Sequence, residues 1–211
     1  MGRYRDWLVL IIGYQSIALL MILRNRARCF GLLLVALKSY KIIFQFKDTN
    51  MRLKTSLPLD KASVIVDEAL RLARQEKMLP QTVVVLDTGG KIIAVKSEDG
   101  SGLIRLGIAL GKAWGALGMG ISSRLIMERL GGRPSFLGAL ANTAEGKLIP
   151  VPGGVLVDDS DGFTIGAVGI SGDTSVKDEY CAVGGIKLAG YASEPAEVDP
   201  NWESSNLSGT K

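Results

Sequence analysis

Few residues in this chain can carry chemistry, and one absence narrows the choice first. The 211 residues include no histidine, which removes Ser-His-Asp and Cys-His nucleophiles, the H-E-x-x-H zinc helix and any imidazole base. Cys29 and Cys181 form no C-x-x-C metal pair and no disulfide framework. In "VGISGDTSVKDEY" (168–180), Gly169, Ser171 and Gly172 approach the nucleophile elbow G-x-S-x-G, but Asp173 takes the last position and no base is at hand to activate Ser171. Ser175 followed three residues later by Asp178 fits a capping box, and Asp178 with Glu179 suits the positive end of a helix dipole. The glycines before them mark a backbone that turns sharply at a strand end, where a ligand can meet exposed amides.

Lys112 is the other conspicuous charge, alone in a Gly/Ala-rich apolar segment. It either snorkels to the surface or meets an anionic group in a pocket. "LDTGGK" lacks the spacing of a phosphate loop. Asp87 with Asp99, and Asp158 with Asp159 and Asp161, do not match the calcium loop, and the latter cluster reads as a solvated turn.

The elements that must position these residues follow from periodicity. Residues 59–77 place Leu59, Ala62, Val66, Ala69 and Ala73 on one helical face, with Pro58 suited to the first turn. Residues 82–87 and 91–96 predict two strands joined at Gly89-Gly90. The helical segment 100–120 carries Gly107, Gly111 and Gly115 at every fourth position, a bare stripe that admits either a neighbouring backbone or subunit, or a flat ligand. A short helix capped by Ser122 or Ser123 ends at Gly131, and a further helical turn spans 135–142. "KLIPVPGGVLV" and "GFTIGAVGI" predict strands, and 176–189 a last helix. Short connections between strands predict an α/β domain with a mainly antiparallel sheet.

Charge divides the chain. Residues 1–50 hold eight Lys or Arg against two Asp, whereas the remainder is slightly acidic, so the basic pI gives no argument for a nucleic-acid-binding body. Trp7 to Leu23 is apolar and flanked by arginines, which suits a membrane anchor or uncleaved signal, an upstream extension before a true start at Met51, or an extra packed helix. The expected organisation is an extension over 1–50, a domain over 51–192 and a disordered polar tail over 193–211. The domain is expected to be cytoplasmic, and membrane-attached or exported if the first segment acts as an anchor.

Four blocks, "VVVLDTGGKIIAVKSEDG", "IALGKAWGALGMG", "PGGVLV" and "IGAVGISGDTSVKDEYCAVGGI", resemble in order the signature blocks of the GlcG/HbpS-like haem-binding, or haem-degrading, family, which also occurs as the C-terminal domain of PduO-type proteins. The resemblance runs from about Leu59 to Ala192. It implies a profilin-like fold of the α+β type, with a central antiparallel sheet of about five strands and helices on both faces. It also implies homo-oligomers and, in several members, haem or a related tetrapyrrole as cofactor. Lys112 matches the family's "KA" lysine, Gly153 and Gly154 its paired glycines, Ser171 and Gly172 its "SG", and Asp178 and Glu179 its "DE". Gly115 stands where the family helix commonly has threonine, and Ser97-Glu98-Asp99-Gly100 replaces an Arg-x-Asp-Gly pattern. Any haem iron would take Tyr180, Cys181, a methionine, a lysine, water or no protein ligand.

The reading that joins these strands of argument is an oligomeric small-ligand-binding protein. Its pocket would lie between the glycine-striped helix, with Gly111, Gly115 and Lys112, and the strand ends at Gly153, Gly154, Ser171 and Gly172, bordered by Asp178 and Glu179. The ligand would be a tetrapyrrole or another planar anion. Two alternatives stand beside it: an enzyme acting on a small organic acid through Lys112, Asp99 and Asp178, and an assembly protein whose glycine stripe is an interface.

Overall fold

The computed structural model describes residues 54–207. The expectations for residues 1–50 lie outside them. Within the described residues, no helix is long and apolar enough to cross a membrane.

Five helices and a five-stranded sheet follow one another: α1 (Leu59–Gln75), β1 (Thr82–Asp87), β2 (Ile92–Ser97), α2 (Arg105–Met119), α3 (Ser123–Leu130), α4 (Pro134–Thr143), β3 (Gly154–Asp158), β4 (Thr164–Ser171), α5 (Ser175–Leu188) and β5 (Ala192–Glu194). The spatial order is β2-β1-β4-β3-β5, and every pair is antiparallel. This is the α/β architecture, with its mainly antiparallel sheet, that the sequence predicts.

Alternation along the strands sorts side chains into two cores, because successive residues point to opposite faces. Val83 and Val85 of β1, Val155 and Val157 of β3, and Val168 and Ile170 of β4 pack against α1 and α5. Val84, Leu86, Leu156 and Ala167 face the other way, onto Ala109, Ala113 and Ala116 of α2. Helices therefore cover both faces.

Several local expectations are corrected. Leu59 is exposed, and Ile65 and Leu72 join the buried face of α1 in its place. α1 stops at Gln75 because the chain turns at Lys77 with φ 54°. Only the last part of "KLIPVPGGVLV" is strand, since Leu148 and Ile149 form a strap across α2, where Ile149 N–H donates to the Gly111 carbonyl at 3.2 Å. The turn expected at 135–142 is a full helix, α4. The tail expected to be disordered from residue 193 instead completes β5 on β3 and places Trp202 flat against Tyr180, ring centroids 3.7 Å apart.

Candidate functional site

The pairing of β4 with β3 brings Gly153, Ile170 and the first turn of α5 to one place beneath α2. Lys112 enters it from above, and its Nζ donates to Asp178 Oδ2 at 2.7 Å and to the Ile170 carbonyl at 2.9 Å. Both side chains are 1% exposed. Asp178 Oδ1 accepts from the Asp173 amide at 3.1 Å, so each carboxylate oxygen has a partner. Burial lowers the pKa of Lys112 and raises that of Asp178, against the attraction between them. The anionic group that Lys112 meets is thus the chain's own.

The capping box takes a different form here. Thr174, not Ser175, is the N-cap of α5, and its side chain caps nothing. Asp178 reaches back past it to Asp173 N–H, leaving its other oxygen to Lys112.

Gly153 closes the cluster. Its φ of +109° suits glycine, and a Cβ there would lie 2.9 Å from both Lys112 Nζ and Asp178 Cβ. Gly154 sits under the Lys112 backbone, whose carbonyl would be 2.3 Å from a Cβ, and its N–H donates to Ser123 Oγ at 2.7 Å. Lys112, Gly153, Gly154 and Asp178 therefore converge. Glu179, the next carboxylate, points elsewhere: fully buried, it accepts a fork from Arg124, Nε to Oε2 at 3.1 Å and Nη2 to Oε1. Burial raises its pKa against that pairing.

The remaining expected residues separate from this cluster. Gly111 and Gly115 are occupied by the strap: a Cβ at Gly111 would lie 2.6 Å from Ile149 Cγ1, and one at Gly115 would lie 3.4 Å from Leu148 Cα. Gly107, the third of the stripe, faces open space. Gly172 is covered by the Gln81 side chain. Ser171 is buried and accepts from Arg105 Nη1 at 3.3 Å.

Three residues in these contacts escaped the sequence reading. Arg105 and Arg124 stand at the starts of α2 and α3, and their partners, Ser171 and Glu179, are 66 and 55 residues away in sequence. Gln81 is wholly buried, yet neither its Oε1 nor its Nε2 has a protein partner, and the same holds for Thr174 Oγ1. An open groove of about 470 Å³ lies nearby, lined by Arg74, Pro80, Ser97, Glu98 and Asp99. Its Arg74 is already paired with Glu98 at 2.7 Å. Among the described residues no group of three or more His, Cys, Asp or Glu side chains is placed to hold a metal ion.

Comparison with known proteins adds a family and a set of folds. The model of the family described as "Haem degrading protein HbpS-like" matches residues 57–187. No curated protein matches. A solved PduOC:haem complex superposes with a TM-score of 0.59 at 24% identity, covering 65% of this chain and 98% of that one. The Klebsiella pneumoniae protein ORFY gives 0.59 at 24% identity, covering 66% and 94%. HbpS gives 0.55 at 21% identity, covering 66% and 94%.

Proposed function

Starting from the match over 57–187, by which the chain belongs to the HbpS-like family of haem-degrading proteins, we propose that it binds a haem-type tetrapyrrole and does so as a homo-oligomer. The family match carries this reading, and a relative of the same fold crystallised with haem supports it. Self-association is supported by α4, an uncharged helix none of whose residues is buried. Exposed apolar surface of this kind marks interaction sites.

The donors among the described residues bear on how haem would be held. Cys181 is enclosed in the α1 core beside Met78, and burial drives its thiol far up in pKa. Tyr180 is stacked on Trp202, and Lys112 is committed to Asp178. None of these three is free to ligate the iron, so a bound tetrapyrrole would be held through its flat apolar body and acid groups by other residues. Bound haem would supply a planar, redox-capable iron centre. The chain's own residues would bind its faces and acid groups and exclude water from them.

The test is a titration of the full chain, free of any histidine tag, with haemin and with iron-free protoporphyrin IX, followed by absorbance and by size-exclusion chromatography with light scattering. Saturable binding of both, within about threefold of each other, is expected, because a protein–iron bond would favour haemin by much more. Absence of saturable binding to either would end the tetrapyrrole reading, and a monomeric mass would end that of self-association.

A further inference from the structure

α2 covers only part of its face of the sheet. Its backbone presses onto β4 at Gly169, where a Cβ would lie 1.9 Å from the Ala109 carbonyl, and onto β3 at Gly154. Its side chains pack on Val84 and Leu86 of β1. β2 lies beyond β1 at the sheet edge, and its register places Val95 opposite Val84 and Ile92 opposite Leu86, on this same face. Val95 and Ile92 are 44% and 43% exposed. The other face of β2 is used: Ile93 and Ala94 pack on the α1 core, and Lys96 pairs with Asp67.

The chain returns from β2 to this uncovered strip. Ser101 Oγ lies 2.7 Å from Thr82 Oγ1, which donates to Ser97 Oγ at 3.0 Å, so the hydroxyls clasp the approach to α2 against the end of β2. At the start of α2, Leu103 is 100% and Ile104 71% exposed, and Leu106 is 44% exposed. From the same turn rises Arg105, steadied by Ser171 and joined to no carboxylate among the described residues. The acids at this end are Glu98, held by Arg74, Asp99, and the buried Asp178, which feels the Arg105 charge but is already bonded to Lys112.

We propose that the uncovered face of β2 and the first turn of α2 form a binding site for an apolar carboxylate, with Arg105 taking the acid group and Val95, Ile92, Leu103 and Leu106 taking the apolar body. An uncommitted guanidinium beside apolar surface is complementary to such an amphiphile, since the arginine fork matches a carboxylate bidentately while the apolar wall is removed from water. A tetrapyrrole with its acid side chains belongs to this class, and that identification alone rests on the function proposed above.

The experiment compares wild-type full-length chain with Arg105→Gln and Val95→Glu, using protoporphyrin IX, its dimethyl ester and the fluorescent fatty carboxylate dansylundecanoic acid. Arg105→Gln is expected to weaken protoporphyrin IX about tenfold or more and to leave the ester within about twofold, because only the free acid uses the guanidinium. Val95→Glu is expected to weaken both. Unchanged protoporphyrin IX affinity in both variants, with unaltered thermal unfolding, overturns the site and leaves the tetrapyrrole reading standing. Binding of the fatty carboxylate alone, weakened by Arg105→Gln, keeps the site and removes the tetrapyrrole. Failure of all three probes on the wild type overturns both. If Val95→Glu instead yields a smaller oligomer with binding intact, a second copy covers the strip and the proposal falls.

Discussion

Lys112 and Asp178 give up water completely, and the direction of their shifts says what that costs. Burial, the largest influence on each, favours the neutral form of both. An aspartate whose pKa is higher folded than unfolded contributes more stability below its ordinary value of 3.8 and loses it as pH rises through the folded value. A lysine whose pKa is lower folded contributes fully above its ordinary 10.5 and loses it as pH falls through the folded value. The attraction between the two works against burial in each, so each charge depends on the other being present. Lys112→Met should therefore cost about 3–5 kcal/mol in urea unfolding at neutral pH, since it leaves a buried carboxylate unpaired. That loss should shrink toward about pH 4, where Asp178 protonates more readily in the folded chain than in the unfolded one. Lys112→Met with Asp178→Asn should be more stable than Lys112→Met alone, because asparagine still accepts from Asp173 N–H without a charge. Additive costs in that cycle would show that the two side chains are not coupled.

At the scale of elements, glycines decide how closely helix and sheet approach, and the sequence disclosed only half of this. The fourth-residue spacing on α2 predicts a bare face that something must meet closely, and at Gly111 and Gly115 a backbone strap does so. Periodicity names a face but not the neighbour that fills it, and the strap reads as strand in the sequence because the Leu, Ile and Val of "KLIPV" suit a strand. The approach of α2 to the sheet depends instead on Gly154 and Gly169, which lie in strands and show no helical spacing. Gly169→Ala should accordingly destabilise by about 3 kcal/mol or more, as the Ala109 carbonyl has nowhere to go without lifting the helix. Gly138→Ala in α4 meets nothing within 4 Å and should stabilise by up to about 1 kcal/mol through helix propensity. Thermal unfolding of the pair separates the two cases. A mild effect at Gly169 would mean that α2 rides higher on the sheet than its glycines allow.

Across the whole molecule, the antiparallel sheet with a helical layer on each face was legible because strands of alternating valines and amphipathic helices announce their buried sides. The acid and lysine pairing was legible as suspicion only: Lys112 and Asp178 lie 66 residues apart, and nothing local says that they meet. The end of the chain hides its structure for the same reason. "ASE" has no strand pattern of its own, yet it pairs with β3, and Glu194 accepts from both the amide and the hydroxyl of Ser122 at the start of α3. Beyond it Trp202 stacks on Tyr180 of α5, so a polar segment ties β3, α3 and α5 together. A chain ended after Tyr191 should then melt about 5–10 °C lower, because it loses a strand ladder, a charged helix cap and an aromatic stack worth about 2–3 kcal/mol together. Trp202→Ala should show only part of that loss, and Glu194→Gln should quicken hydrogen exchange at the first amides of α3 while sparing those of α1. Equal melting of the truncated and full chains would mean that the segment after β4 and α5 is an ornament on a domain already complete, and that its polar composition was the better guide.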